Sequence, residues 1–123
     1  MASTPIHLLV VEDQELVRSV IVHALTEAGF EVSSTGVADQ AIQLLDDSGS
    51  RYGALITDIN LEAPLSGLEI AKHARAINPD LPILYVAVAV PQEFAAEAVV
   101  KSAILRKPFT IEELTGMVLE LVG

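Results

Sequence analysis

Three short, unbroken runs of mainly apolar residues stand out along the chain. These runs span Leu8 to Val11, Ala54 to Thr57 and Pro82 to Val88. Unbroken runs of this length are typical of parallel strands that are covered on both faces. The more polar segment Glu31 to Thr35 predicts an edge strand, because an edge strand buries less of its surface than a central one. A short last strand is predicted at Ala103 to Arg106.

The segments between these runs carry helical patterns. Helices are predicted at Gln14 to Ala28, Ala38 to Asp47, Gly67 to Ile77 and Gln92 to Lys101, with a last helix that begins after Thr110. The first has Leu16, Val20 and Leu25 among its apolar residues at helical spacing and stops before a glycine. Proline ends the third and opens the fourth, and Thr110 with Glu113 forms a capping box. Five alternating strands and helices predict a doubly wound α/β sheet.

Composition narrows the class of protein. A chain of 123 residues suits a single domain. No apolar stretch reaches the roughly 18 residues that span a bilayer, and no signal peptide is evident, so we expect a soluble, cytoplasmic protein without membrane contact. The lack of cysteine excludes disulfides and thiolate metal sites. A formal charge of −10 would repel nucleic-acid phosphates, so the expected partners are proteins.

Acidic residues stand at the ends of two predicted strands. Glu12 and Asp13 follow the first strand, and Asp58 follows the third. In doubly wound sheets the functional crevice lies beyond the carboxyl ends of the strands, so the three carboxylates come together if these strands are neighbours. Crowded carboxylates repel one another unless they hold a proton or a cation. The hard cation that suits such a site is Mg²⁺.

Lys107 follows the last strand and adds a positive charge at the same edge. Three carboxylates, a hard cation and a lysine are the parts needed for phosphoryl transfer to an aspartate, with Asp58 as the nucleophile. Each part has another interpretation: an acidic pair can cap a helix, an aspartate can end a strand in a turn, and a lysine before proline can simply be solvated. Only the conjunction of all four positions favours the site.

The sequence resembles the receiver domain of response regulators along its whole length, 1–123. The matching motifs are Val10-Val11-Glu12-Asp13, Thr57-Asp58, Gly67-Leu68-Glu69, Asn78 to Ile83 and Lys107-Pro108-Phe109. The resemblance implies a flavodoxin-like, five-stranded parallel sheet in the order 2-1-3-4-5 with five helices. It also implies that Glu12, Asp13, Asp58 and the backbone carbonyl of Asn60 bind Mg²⁺, that Asp58 is phosphorylated, and that Lys107 contacts the phosphoryl group.

Three features depart from the family pattern. Ala87 stands at the end of the fourth strand, where the family usually has Thr or Ser. Ile104 stands where the family often has the Tyr or Phe that swings inward on activation. The segment from Asp58 to Gly67 is one residue longer than the commonest pattern, and that from Ala87 to Lys107 is about two residues shorter. We therefore expect phosphorylation to be coupled to the rest of the domain by a different route.

Three functions are compatible with these observations. The first is a stand-alone signalling module without an output domain, a monomer or weak dimer, phosphorylated by a histidine kinase or histidine phosphotransfer protein and bound by a downstream protein target. Such a module would not be an enzyme with a separate substrate, although it would catalyse its own phosphorylation and dephosphorylation. The second is a pseudo-receiver that binds proteins independently of phosphorylation. The third is an aspartate-based phosphohydrolase of the haloacid-dehalogenase type, although Asn60 replaces the second aspartate that this chemistry needs.

Overall fold

A five-stranded parallel sheet forms the centre of the molecule. The computed structural model describes residues 5–61, 66–88 and 101–123. The strands are β1 (His7–Val11), β2 (Glu31–Thr35), β3 (Ala54–Asp58), β4 (Ile83–Ala87) and β5 (Ser102–Arg106), in the order β2-β1-β3-β4-β5. The predicted strand order is therefore confirmed, and the polar strand β2 lies at an edge, as its sequence indicates.

Four α-helices lie within the described residues. They are α1 (Glu15–Glu27), α2 (Ala38–Ser48), α3 (Gly67–Ile77) and α4 (Ile111–Val122), and a 3-10 turn (Gly49–Arg51) follows α2. The fifth helix, predicted at 92–101, falls almost entirely outside the described residues. Its predicted last residue, Lys101, is described but is not helical: it has a φ of 62° and lies directly before β5. The predicted end of that helix is therefore wrong.

The two faces of the sheet carry separate hydrophobic cores. Alternate residues of the central strands point to opposite faces, so neighbouring positions such as Leu8 and Leu9 enter different cores. One core includes residues of α2 and α3, and the other includes residues of α1 and α4. Burial on both faces explains why the central strands are continuous apolar runs.

Helix α1 buries only part of its apolar pattern. Ile21, Ala24 and Leu25 are buried, whereas Leu16 is 83% exposed and Val20 is 48% exposed. Helical periodicity thus predicts the helix but not which of its apolar residues the core covers. Among the residues that the structure describes, no helix is long and apolar enough to cross a membrane.

Side chains cap the N-termini of α3 and α4, the helices that follow β3 and β5. The predicted capping box at the start of α4 is confirmed, with the Thr110 hydroxyl accepting from the Glu113 amide and the Glu113 carboxylate accepting from the Thr110 amide. Ser66 and Glu69 form an equivalent box at the start of α3. These caps satisfy amide groups that the helix itself leaves without partners.

Candidate phosphoryl-acceptor site

The carboxyl edge of the sheet collects the acidic residues that the sequence singles out. Glu12 and Asp13 follow β1, and Asp58 is the last residue of the neighbouring strand β3. One carboxylate oxygen of each lies within 4.8 Å of those of the other two. The prediction that the three carboxylates lie together is confirmed, because β1 and β3 are adjacent and in register.

Lys107, just after β5, extends its ammonium group into this cluster. Its Nζ lies 2.8 Å from Glu12 Oε1 and 3.0 Å from Asp58 Oδ2. The side chains of Lys107, Glu12 and Asp58 are 13%, 1% and 5% exposed, so both ion pairs are largely shielded from water. The Lys107 amide also donates to the carbonyl of Ala87, which fixes the start of this segment against β4.

Backbone amides hold the two buried carboxylates in place. The amide of Gln14 donates to Glu12 Oε2 over 3.1 Å, and that of Asn60 donates to Asp58 Oδ1 over 2.8 Å. The backbone of Glu12 is itself fixed, because its amide donates to the carbonyl of Thr35. Each carboxylate therefore has one oxygen bound by an amide and the other directed towards Lys107.

Burial and charge shift the pKa values of Glu12 and Lys107. Burial raises the pKa of Glu12, and the nearby Asp58 adds to this, although Lys107 and the Gln14 amide oppose the shift. Burial acts to lower the pKa of Lys107, but the contacts with Glu12 and Asp58 outweigh it, so the pKa of Lys107 is raised. The lysine is therefore firmly charged at neutral pH, while Glu12 carries its negative charge at a cost.

A close backbone approach shapes the loop after Asp58. The amide of Gly67 donates to the carbonyl of Ile59, and a Cβ at position 67 would lie 2.0 Å from the Asp58 carbonyl oxygen. Only glycine fits this position without movement of the backbone. The start of α3 can therefore pack directly against the end of β3.

A cleft of about 310 Å³ opens above the cluster. It is lined by Asp13, Gln14, Asp58, Asn60, Val88 and Lys107. The volume suits a group of the size of a phosphoryl moiety with a hydrated cation. Asp58 borders this cleft although it is only 4% exposed.

The residues at the cluster fit a hard divalent cation. Glu12 Oε1 is buried, and the Lys107 ammonium group lies 2.8 Å from it. One ammonium group does not balance three clustered carboxylates, and buried charge is costly unless a cation compensates it. Three carboxylates supply the oxygen ligands that Mg²⁺ prefers. The Mg²⁺ ligands inferred from the sequence remain a prediction, including the carbonyl of Asn60.

The two positions that depart from the family pattern lie on the neighbouring strands β4 and β5. Ala87 ends β4 and is fully buried, and Ile104 lies in the middle of β5. Ile104 pairs in register with Tyr85, and both pack with Ala87 in the same hydrophobic core. Among the described residues, the aromatic ring in contact with these two positions is that of Tyr85 in β4, which is 1% exposed.

Comparison with known proteins decides the family. A sequence profile of the response regulator receiver domain matches residues 8–119. The chain belongs to the response regulator receiver domain family. The receiver protein CpdR of Brucella abortus (strain 2308) is 30% identical over 111 residues, which cover 89% of this chain and 90% of CpdR.

Two further proteins are similar to this chain. The crystal structure of a response regulator receiver protein from Sinorhizobium medicae WSM419 matches with a TM-score of 0.89 and 32% identity, covering 96% of this chain and 94% of that one. Sensor kinase CckA of Brucella abortus (strain 2308) is 26% identical over 93% of this chain. The receiver chain spans 12% of CckA, so that similarity concerns only a small part of the kinase.

Two residues at the receiver site were not singled out in the sequence. Gln14 lines the cleft, and its Oε1 lies 3.5 Å from Lys107 Nζ. Arg18 donates from Nη1 to the Glu12 carbonyl over 2.8 Å. Neither belongs to a motif, and both contacts depend on how α1 packs beside the sheet edge. The position directly after an acidic pair is the only signal that could have indicated Gln14.

Proposed function

We propose that this receiver accepts a phosphoryl group on Asp58 from a phosphohistidine of a histidine kinase or phosphotransfer protein. The observation that supports this function best is the contact of Lys107 Nζ with both Glu12 and Asp58 at one sheet edge. The cleft above Asp58 adds room for the incoming group. Family membership gives the same class of function, two-component signalling.

The chemistry assigns one role to each side chain. An oxygen of Asp58 attacks the phosphorus in line, so that the new P–O bond forms as the P–N bond to the donor imidazole breaks. Lys107, with its raised pKa, keeps its charge and can follow the negative charge from the Asp58 carboxylate to the phosphoryl oxygens. The Asn60 amide on Oδ1 restricts the orientation of the Asp58 carboxylate during attack.

Mg²⁺ would be held by Glu12, Asp13 and Asp58, with the carbonyl of Asn60 as a further ligand. When bound, it would neutralise the charge that accumulates on the phosphoryl oxygens. We further propose that this receiver catalyses only its own phosphorylation and dephosphorylation. No observation favours the phosphohydrolase alternative, because Asn60 stands where that chemistry requires an acid.

The proposed partners are proteins. The relatives include a receiver protein that this chain covers almost entirely, CpdR, and a sensor kinase of which it covers a small part, CckA. We propose that this chain functions in the cytoplasm, takes its phosphoryl group from a kinase or phosphotransfer protein, and signals by binding a downstream protein. The net charge of −10 supports protein partners over nucleic acid.

The pseudo-receiver remains a second candidate because of Ala87. A hydroxyl at this position could donate a hydrogen bond worth about 1.5–3 kcal/mol to the charged phosphoryl group. Alanine cannot, and Ile104 has no polar group to replace it. Phosphorylation would then perturb the domain less than in a receiver that has both residues.

Beryllofluoride, which mimics a phosphoryl group, separates the two candidates. Amide NMR spectra are recorded with and without Mg²⁺ and beryllofluoride, for the native protein and Asp58→Asn. A switching receiver shows shifts at Asn60, Lys107 and along β5 that the variant lacks. A pseudo-receiver shows at most local shifts at Asn60 and Lys107 and none along β5, and that result would refute the proposed switch.

A further inference from the structure

Arg18 binds the backbone at the point where the acidic pair begins. It is the fourth residue of α1 and donates from Nη1 to the Glu12 carbonyl over 2.8 Å. The Glu12 amide is bound on the other side by the carbonyl of Thr35 in β2. Both peptide groups of Glu12 are therefore fixed by residues that are not among the proposed metal ligands.

Gly36 leaves the space that the Arg18 side chain occupies. A Cβ at position 36 would lie 2.4 Å from Arg18 Nη1 and 3.3 Å from the Glu12 carbonyl oxygen. Gly36 is not among the residues with positive φ, so its backbone conformation does not require glycine. The absence of a side chain at Gly36 is instead what allows the guanidinium group to reach Glu12.

The Glu12 carbonyl belongs to the peptide that leads into Asp13. A hydrogen bond to this carbonyl therefore fixes the backbone between the two acids and ties it to α1. The Gln14 amide, which binds Glu12 Oε2, lies two residues further along the same segment. Hydrogen bonds to the ligating side chains of a metal site commonly change metal affinity by about 10–100-fold when they are removed, and the contact of Arg18 acts one step further out, on the backbone of a ligand.

We infer that Arg18 is a positioning residue for the Glu12–Asp13 pair, and that it increases Mg²⁺ affinity despite its own positive charge. The inference rests on the proposed function, in which this pair binds Mg²⁺. The positive charge of Arg18 lowers the Mg²⁺ affinity, whereas its hydrogen bond to Glu12 raises it. Removal of a nearby cation alone would tighten Mg²⁺ binding about twofold at physiological salt, whereas loss of positioning weakens it.

The test is a Mg²⁺ titration, followed by amide NMR shifts, of the native protein, Arg18→Met and Gly36→Ala. Arg18→Met loses both the charge and the contact, and we expect its Kd for Mg²⁺ to rise about tenfold. Gly36→Ala keeps the charge but displaces the guanidinium group, so its Kd should rise as well. In metal-free protein the Asp13 and Gln14 amide shifts should change in both variants.

Arg75→Met provides a matched control at the opposite edge of the sheet. Arg75 also binds a backbone carbonyl, with its Nε 2.6 Å from the Leu81 oxygen just before β4. This variant should lower stability without changing the Kd for Mg²⁺. An equal rise in Arg75→Met, or Arg18→Met binding as tightly as the native protein or more tightly, would overturn the inference. If the native protein itself binds no Mg²⁺, the proposed function fails, whatever Arg18 does.

Discussion

Replacement of Lys107 by methionine tests how the acidic cluster is stabilised without metal. Methionine has a similar length but no charge, so the substitution removes two ion pairs and little packing. The pairs are short, 2.8 Å to Glu12 and 3.0 Å to Asp58, and they connect side chains that are no more than 13% exposed. The variant leaves two buried carboxylates facing each other with no cation from the protein between them.

The size of the effect follows from this burial. Removing one partner of a buried ion pair commonly costs about 3–5 kcal/mol, because the remaining charge is uncompensated. The cleft above Asp58 admits water and reduces this cost, so we expect a loss of about 2–3 kcal/mol at pH 7 in EDTA. Since Lys107 and Mg²⁺ compete for the same oxygens, Mg²⁺ should stabilise Lys107→Met more than it stabilises the native protein.

Urea denaturation in EDTA and in saturating MgCl₂ measures both effects. Lys101→Met is a matched control, because Lys101 is exposed and lies 3.9 Å from an exposed partner, Asp80. We expect this control to change the free energy of unfolding by less than about 0.5 kcal/mol. If Lys107→Met is as stable as Lys101→Met in EDTA, or if Mg²⁺ stabilises it no more than the native protein, the competition described here is wrong.

Glu12, Gly67 and Ala87 each allow a further test. Burial raises the pKa of Glu12, so metal-free native protein should lose stability relative to Glu12→Gln as the pH rises from about 4.5 through the raised pKa. Urea denaturation at a series of pH values measures the free energy of unfolding of both proteins. A difference in this free energy that does not change with pH would contradict the prediction. Gly67→Ala should lower the free energy of unfolding by at least about 2 kcal/mol, because its Cβ would meet backbone atoms. Gly116→Ala should raise it by about 0.5–1 kcal/mol, because a Cβ there meets open space in α4. Equal effects of the two substitutions in thermal unfolding would refute the role given to Gly67. Ala87→Thr should enlarge the beryllofluoride-induced NMR shifts along β5, and unchanged shifts would remove the missing hydroxyl as an explanation of weak coupling.

The sheet and the acidic edge could be predicted because they depend on local patterns. Parallel strands that are buried on both faces must be apolar throughout, which makes β1, β3 and β4 visible as short runs. The carboxyl ends of such strands meet at one edge, so Glu12 and Asp58 come together once β1 and β3 are neighbours, which is the strand order that the resemblance implies. The capping box of Ser66 and Glu69 also has a sequence signature, which the spacing of serine and glutamate would have revealed.

Features that depend on packing between distant segments could not be predicted. Helical periodicity marks Leu16 and Ile21 alike as apolar, yet only Ile21 lies against the sheet. The contact of Arg18 with Glu12 depends on the tilt of α1 and on the missing side chain at Gly36. Lys101 could be assigned to a helix by pattern, but its carbonyl accepts from the Ile83 amide across the sheet.

Phosphorylation of Asp58 underlies every role proposed for this site. Its most direct test is the intact mass of the native protein and of Asp58→Asn after incubation with Mg²⁺ and acetyl phosphate. We predict that the native protein gains the mass of one phosphoryl group and loses it again when EDTA is absent and time is allowed for hydrolysis, whereas Asp58→Asn gains none. A native protein that stays unmodified, or an Asp58→Asn variant that is modified to the same extent, would contradict the account.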